Sequence, residues 1–467
     1  MTNIKPLNRI IVFALAFVMI LGSFAGGFGS LGVELAMAET TVITTNEAFA
    51  AMEPGGNYEL GADITITEPY GQEFCGTFDG KGHTITLNIT SETAYTGLFS
   101  KLIDGASVKN LIIDGEVYIA DNSNKSYCGT IAGSANASAN AVNIRNCWNK
   151  ATVRGYKAVG GIAGMTAGAV VIESCANTGI VLGRNTQIGG IVGNISSGNT
   201  IIRNCYNMSN VTGFSYAGGI IGHATKSSAS PTIQNCYSTG NYTLTGLSSP
   251  VGGLLIGFMS TSGSISNCFA LGTSDSILIG TNNSTNAQVF YKTQDEMKDA
   301  AFAEILGDAF CSVPESYPEL VSIKEMLIPT ASVPFRVTPV EAVLTITDTA
   351  SSEVVYTGAA GAVALPAGSY TYTVTCGGYT SKTDGSFTVS EEQANASATL
   401  DEQIITLTVD EGLWGTVTFN VTGSDNYHIT VRNGNAVIAP IDENSSSYKL
   451  LKNKEYNYIV SSDNEAV

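Results

Sequence analysis

The 467-residue sequence predicts an all-β fold, a right-handed parallel β-helix with coils of about 29 residues followed by small β-sandwich modules. Three observations predict it. Short apolar runs rich in β-branched residues alternate with Gly, Asn and Ser, and these runs are too short for helices. Two sequence markers recur in fixed order through the middle of the chain. Charged residues make up only 13% of the chain, about half of the ~25% usual for soluble proteins.

Residues 1–38 are predicted to be a secretory signal peptide. Lys5 and Arg9 precede an apolar stretch, and a run of small residues ends in Ala36-Met37-Ala38, so cleavage is expected after Ala38. An uncleaved membrane anchor is the alternative, because apolar and small residues continue beyond the first stretch. No second stretch of about 18 apolar residues follows, so the mature chain is predicted not to span a membrane.

Residues 39–290 are predicted to form the β-helix. The first marker has the form Ile-x-x-Cys, and its cysteines are 28, 30, 31 and 32 residues apart: Cys147, Cys175, Cys205, Cys236 and Cys268. The second marker, of the form Gly-Gly-Ile-x-Gly, lies between successive cysteines and begins at Gly160, Gly189, Gly218 and Gly252, where it is varied to Gly-Gly-Leu-Leu-Ile-Gly. One repeat cannot bury its inward face alone, so successive repeats must stack.

Stacking puts equivalent residues above one another at the strand spacing of about 4.8 Å. The isoleucines of the first marker are expected to form an inward column: Ile144, Ile172, Ile202, Ile233 and Ile265. The asparagines before the cysteines are expected to form an amide ladder at a bend, which Ser174 interrupts: Asn146, Asn204, Asn235 and Asn267. The cysteines themselves are interpreted as a column of buried, mostly free thiols, with partial disulfide pairing left open.

In their order and spacing, the two markers resemble the GLUG-motif repeats of bacterial surface proteins over about Thr96 to Ser276. The segments that begin at Asn57 and Gly76 are similar to the opening coils of such β-helices. The helical pattern of residues 293–306 resembles the terminal element of the same family. Residues 291–330 are therefore predicted to be a linker and a capping helix that closes the open end of the stack.

Residues 331–401 and 402–467 are predicted to be two β-sandwich modules. Leu, Tyr, Tyr and Val recur at matching offsets from Leu365 and Leu451. The segments are similar to PEGA-type or other immunoglobulin-like domains of bacterial surface proteins. The second module has only eleven residues after Tyr456 and is expected to be incomplete, as in a fragment of a longer protein.

The repeat region offers few groups for catalysis. Glycoside hydrolysis normally needs two carboxylates across the scissile bond. From residue 129 to residue 290 the acids are Glu173 and Asp275, more than three coils apart, although Asp79 and Asp104 lie upstream. The chain is therefore predicted not to be an enzyme and to need no cofactor or metal. Two alternatives stay open: a carbohydrate-active β-helix enzyme (a polysaccharide lyase or glycoside hydrolase), and the scaffold part of a longer surface enzyme.

The aromatic residues directly after the repeat cysteines are candidate ligand contacts: Trp148, Tyr206, Tyr237 and Phe269. As an exposed stripe they could stack on sugars. As a column in the core or at a bend they would need no ligand, and the ladder geometry favours this second interpretation.

The formal net charge is -18, yet residues 129–290 carry seven basic and two acidic side chains, so the acidity lies in the flanking segments. A negative chain repels phosphate backbones, which argues against nucleic-acid binding. The predicted function is a non-catalytic, secreted or cell-surface bacterial protein whose β-helix is a scaffold for adhesion or surface display. Its expected partners are cell-wall or host glycans or surface proteins.

Overall fold

The computed structural model describes residues 40–120, 126–224, 229–246, 251–282, 286–419, 427–433, 436–438, 440–441, 446–452 and 454–462. The predicted signal peptide, residues 1–38, lies outside the described residues. Strands make up 58% of the described residues and helices 8%, which confirms the all-β class. None of the described helices is both long enough and apolar enough to cross a bilayer.

Residues 40–292 form two parallel sheets. Within each sheet, strands that are one repeat apart in the sequence pair with each other. The described residues contribute 25 strands to one sheet and six to the other. The larger sheet consists of three ladders, and a typical repeat adds one strand to each ladder before the chain enters the six-stranded sheet.

The first ladder contains Tyr70–Phe74, Phe99–Ile103, Ala132–Asn149, Ala163–Glu173, Val192–Ser197, Ile221–Ala224, Ile256–Met259 and Ile279–Asn282. The second contains Thr40–Ile43, Asn57–Leu60, Thr77–Asp79, Ser107–Ile119, Thr200–Arg203, Thr232–Gln234, Ser264–Leu271 and Asn286–Lys292. The C-terminal ends of Ala132–Asn149 and Ala163–Glu173 also belong to it. So do the short strands Ala176–Asn177, Tyr206–Asn207 and Tyr237–Ser238.

The third ladder contains Ile64–Ile66, Thr84–Ser91, Thr152–Gly155, Val181–Gly183, Val211–Gly213 and Tyr242–Leu244, and it shares the end of Ser107–Ile119. The six-stranded sheet contains Tyr95–Thr96, Tyr127–Cys128, Val159–Gly160, Thr186–Gly189, Ser215–Gly218 and Gly252–Gly253.

The predicted aliphatic column is confirmed. Each isoleucine of the first marker pairs in register with the isoleucine of the next repeat, from Ile144 to Ile265. All five are at most 1% exposed, so they form a continuous part of one core. At the start of the stack, helix Asn46–Ala50 places Phe49 in this core, with its ring 5.8 Å from Phe99 and 5.9 Å from Phe78.

The predicted helical segment is present, but it lies beside the stack rather than at its end. It contains helices Gln294–Lys298, Ala300–Leu306 and Val321–Met326 and the antiparallel strands Phe310–Cys311 and Glu319–Leu320. Residues 294–326 are called the side strap below. The prediction of an end cap was wrong because the buried face of the strap packs on one residue from each of five successive repeats: Trp148, Ala176, Tyr206, Tyr237 and Phe269.

The first C-terminal module has two sheets that share one core. One contains Thr330–Thr338, Ala362–Pro366 and Gln403–Thr406, and the other Val343–Asp348, Val354–Ala359, Gly368–Thr375 and Lys382–Val389, with helix Glu391–Asn395 alongside. Strand Gln403–Thr406 pairs with Phe335–Thr338, and Ile405 and Leu407 are in this core. The module therefore extends past the boundary predicted at residue 402.

The second module has a smaller core around Val431, Tyr448 and Leu450. Among its described strands, Trp414–Thr418 pairs with Ser447–Leu451, and Tyr427–Asn433 pairs with both Ala436–Ile438 and Asn457–Ser462. A 3-10 turn at Glu411–Leu413 directly precedes the first of these strands.

Candidate functional site

The five repeat cysteines are fully buried free thiols. Each Sγ donates a hydrogen bond to the carbonyl oxygen two residues earlier, at 3.2 to 3.3 Å. Burial raises the pKa of Cys147 and of Cys205. A thiol that is protonated and inaccessible is a poor nucleophile and a poor metal ligand, so this column has a packing role.

The asparagines before the cysteines lie at a bend and form hydrogen bonds between repeats. These asparagines and the interrupting Ser174 all have φ between 51 and 53°, the left-handed conformation that Asn tolerates better than most residues. Asn267 Nδ2 donates to Asn235 Oδ1 at 2.9 Å, and Asn235 Nδ2 donates to Asn204 Oδ1 at 3.1 Å. Asn110 belongs to the same ladder, since its Oδ1 accepts a hydrogen bond from Asn146 Nδ2 at 3.0 Å. It does not match the repeat marker, because it precedes a leucine rather than a cysteine.

A second polar ladder, fully buried, was missed altogether. Asn149 Nδ2 donates to Asn177 Oδ1 at 2.6 Å, and Asn177 Nδ2 donates to Asn207 Oδ1 at 2.7 Å. Asn207 continues to Ser238 Oγ at 3.4 Å. The signal was visible in the sequence, because each of these residues lies two positions after a repeat cysteine. In both ladders the side-chain amides, whether buried or at a bend, find hydrogen-bond partners in neighbouring repeats and need no ligand.

The stripe of aromatic residues after the cysteines is not an exposed surface. Tyr206, Tyr237 and Phe269 are at most 5% exposed beneath the side strap, and Trp148 is half-buried. The Phe302 ring of the strap lies 5.2 Å from that of Phe269, edge to face. The sugar-stacking alternative is therefore contradicted for the three buried rings, because no sugar can reach their faces.

The acids that were candidates for catalysis make structural bonds. The Glu173 carboxylate is paired with Arg203 at 2.6 Å and with Arg145 at 3.3 Å. Asp79 accepts from Asn110 Nδ2 at 3.0 Å and pairs with Lys109 at 3.3 Å.

Asp104 accepts hydrogen bonds from the backbone amides of Ser138 and Ala139, and these amides lower its pKa. Asp275 is exposed in a turn. In the part of the chain that the structure describes, no three His, Cys, Asp or Glu side chains lie close enough to hold a metal ion.

A different set of side chains lines a groove where the six-stranded sheet meets the first ladder. One wall is a column from the six-stranded sheet: Tyr95, Tyr127, Ala158, Gln187, Tyr216 and Val251. The facing wall is a column from the first ladder: Lys101, Ser134, Met165, Asn194, His223 and Phe258. We call this feature the corner groove.

The glycines of the second marker build this corner. A Cβ on Gly160 would lie 2.1 Å from the Ala163 carbonyl oxygen, and one on Gly193 would lie 2.7 Å from the Gly164 carbonyl oxygen. Only glycine permits backbones to approach so closely. The two walls consequently come into contact, with Gln187 Nε2 3.3 Å from His223 Nδ1 and the Tyr216 ring 4.9 Å from that of Phe258. The glycines form a visible repeat in the sequence, whereas the residues that flank them do not.

At one end the groove widens into a pocket of about 130 Å³. Its lining residues are Glu73, Tyr95, Lys101, Ile103, Ser134, Asn136 and Met165. The Tyr95 ring stacks on that of Tyr127 at 5.0 Å, and Lys101 Nζ lies 3.0 Å from Glu73 Oε1. The pocket thus combines apolar side chains with hydroxyl, amide and paired charged groups.

His223 is the titratable group inside the groove. It is hydrogen-bonded to Asn194 Oδ1 at 3.0 Å, and the Phe258 ring stacks on it at 5.4 Å. Burial, with a smaller contribution from the Lys157 charge, lowers its pKa to about 4. His223 is therefore neutral at physiological pH and serves in packing and hydrogen bonding rather than as a proton donor.

Comparisons with known proteins identify no family. Neither a scan of protein-family models nor a search of curated proteins finds a match. The chain is similar in structure to a "putative immunoglobulin A1 protease" from Bacteroides ovatus, with a TM-score of 0.43 and 21% sequence identity over 60% of this chain and 92% of that chain. A likeness at this level carries no argument about function.

Proposed function

We propose that the chain is a non-catalytic, exported bacterial surface protein of the GLUG type. Its residues 40–292 would form a right-handed parallel β-helix that is a scaffold for adhesion or surface display, and the C-terminal modules would be PEGA-like or immunoglobulin-like. The resemblance of the repeat markers and the pattern of residues 1–38 support the location.

The strand register supports a β-helix. Each strand pairs with strands about one repeat away, and the long strand Ala132–Asn149 takes part in two ladders, as expected where a coil turns from one face to the next. Parallel crossover connections are right-handed in nearly all proteins.

A closed eight-stranded barrel is the alternative arrangement of the first ladder. It would make Tyr70–Phe74 and Ile279–Asn282 neighbours. Among the described residues these two strands pair instead with Phe99–Ile103 and Ile256–Met259. We therefore favour the open stack.

The observation that carries the non-catalytic proposal is the state of Glu173, the acid at the centre of the repeat region. Its side chain is held between two arginines and is 20% exposed. A general acid needs access to substrate. The two guanidinium groups contact both carboxylate oxygens of Glu173 and cover most of the group, so this side chain is suited to holding repeats together.

An activity screen tests this proposal. The purified chain is incubated with plant, bacterial and host polysaccharides, and the release of new reducing ends is measured. We expect release no faster than with heat-denatured protein. Release that the wild type catalyses and the Glu173→Gln variant does not would overturn the proposal. Release by both proteins would also overturn it and would place the chemistry elsewhere. Antibody labelling of intact cells tests the surface location, and signal confined to lysed cells would contradict it.

A further inference from the structure

We propose that the corner groove binds a neutral glycan chain that lies along the direction in which the repeats stack. This inference rests on the proposed function in one respect, since it gives the surface scaffold a ligand that it holds without cleaving. It concerns residues other than the aromatic stripe, whose rings are covered by the side strap.

The lining of the pocket fits a sugar ring. A pyranose has apolar C–H faces and a rim of hydroxyl groups. Tyr95, Ile103 and Met165 offer apolar contact. Ser134 and Asn136 lie beside them and supply a hydroxyl and an amide that can both donate and accept hydrogen bonds. Aromatic surface with a few placed polar groups is the usual composition of a small-molecule site.

The charges favour a neutral glycan over an acidic one. Lys101 is the basic side chain of the pocket, and its ammonium is already paired with the Glu73 carboxylate at 3.0 Å. An anionic sugar would have to displace Glu73 or lie close to it. Like-charge repulsion therefore disfavours uronic acids and sialic acids, whereas hydroxyl and acetamido groups meet no such barrier.

Beyond the pocket the two columns of side chains continue in register. Ala158 is buried between Tyr127 and Gln187, and farther along the partly exposed rings of Tyr216 and Phe258 pack against each other at 4.9 Å. Neighbouring repeats are about 4.8 Å apart, a spacing similar to the length of one sugar unit in an extended chain. Successive sugars could therefore meet successive repeats.

Two further observations at Gln187 support a ligand. Its Oε1 atom is buried and has no hydrogen-bond partner among the described residues. Buried polar atoms are normally satisfied, so rotation of the Gln187 side chain toward a bound hydroxyl group would give this acceptor the hydrogen bond that it lacks. In addition, Ala158, Gln187 and Tyr216 all have positive φ, at 47, 74 and 55°. Such strain in non-glycine residues is concentrated at functional sites.

Binding is tested on the whole chain with two neutral probes, the linear hexasaccharides of β-1,4-linked glucose and β-1,4-linked N-acetylglucosamine, and with a galacturonic acid hexasaccharide as the charged comparison. Saturation-transfer NMR detects binding, and calorimetry measures its affinity. We expect at least one neutral probe to bind and the charged probe to bind more weakly. No binding of either neutral probe, or tighter binding of the charged one, would overturn the inference.

Three variants locate the site. Tyr95→Ala removes the ring at the pocket, and we expect about tenfold weaker binding. Asn136→Ala truncates an exposed amide at the rim, so it retains the fold even if Tyr95→Ala does not, and it should also weaken binding. Tyr291→Ala, an exposed tyrosine on the last strand of the second ladder, is the matched control and should bind as the wild type does. Equal affinity of Asn136→Ala and the control would contradict the assignment.

The same samples separate the two proposals. Binding accompanied by the release of reducing ends would contradict the non-catalytic proposal but not the proposed glycan site in the corner groove. If no probe binds while the chain is still displayed on cells, the proposed glycan site is wrong and the proposed scaffold function stands.

Discussion

At the scale of single residues, the cysteines are divided by exposure. Six are buried in the stack, namely Cys128 and the five of the first marker, whereas Cys75 is exposed and Cys311 and Cys376 are half-buried. Burial disfavours the thiolate, which is the reactive form. This division makes the thiols a probe of packing.

We predict that native protein reacts with a thiol reagent at no more than the three accessible cysteines, and that all nine react after denaturation. Titration with a chromogenic disulfide in buffer and then in guanidinium measures both counts. Nine rapidly reacting thiols in the native protein would contradict the buried column.

His223 gives a pH dependence whose sign follows from its environment. Its pKa is about 4 in the folded chain and about 6.5 when unfolded, so between these values the unfolded state binds more protons. The contribution of His223 to the free energy of unfolding, up to about 3 kcal/mol, is fully present above pH 6.5 and is lost as the pH falls toward 4. Denaturant unfolding of wild type and His223→Gln at pH 7.5 and pH 5 tests it. We expect the wild type to lose more free energy of unfolding between the two pH values, and an equal loss in both proteins would refute this assignment.

At the scale of elements, the buried ladder holds neighbouring repeats together. Asn177 both donates to Asn207 and accepts from Asn149, and it is 0% exposed. Replacement by leucine keeps the approximate size but leaves polar atoms on both sides with fewer partners. We expect Asn177→Leu to lower the free energy of unfolding by about 2 to 3 kcal/mol. The exposed Asn241→Leu serves as control and should change it by less than about 0.5 kcal/mol. Similar losses in both would argue against the ladder.

The side strap depends on Phe302. This ring is 1% exposed and packs between Phe269 and Tyr237. Removing it leaves a cavity that typically costs about 3 to 5 kcal/mol, and we expect the strap to open before the stack unfolds. Limited proteolysis should cut the strap faster in Phe302→Ala than in Ile305→Ala, whose side chain on the same helix is 46% exposed. Equal cleavage rates would mean that the aromatic contacts do not hold the strap.

Features that recur in every repeat could be predicted from the sequence, whereas features that occur once in the fold could not. The columns of isoleucine, cysteine and asparagine follow from the repeat itself, because stacking fixes what lies above each position. The strap could be predicted as helical, but its docking side depends on which face presents large apolar residues once the coils have formed. The corner groove was missed because its side chains vary from Tyr to Ala to Gln, so only the invariant glycines were visible in the pattern.

At the scale of the whole molecule, stacking explains the low charge of the repeats. Equivalent residues lie about 4.8 Å apart, so like charges in one column would repel. The second ladder contains the exception, a charged column in which Glu59, Asp79, Lys109, Arg145, Glu173 and Arg203 occupy successive register positions, with like charges adjacent at Glu59–Asp79 and Lys109–Arg145. Each basic residue in it has an acid as one neighbour. Gln234 and Ser266 continue the column without charge.

We propose that residues 40–292 form an open stack of repeats rather than a closed barrel. The longest column of the first ladder runs from Glu73 through Lys101 to Thr281 and contains seven strand intervals. Spin labels on cysteines at positions 73 and 281, in a chain whose Cys75, Cys311 and Cys376 are replaced by serine, report this separation by double electron–electron resonance. The open stack predicts a distance centred near seven spacings of about 4.8 Å, or about 34 Å. Strong dipolar broadening from labels one spacing apart would show that the first and last strands are neighbours and would contradict the account.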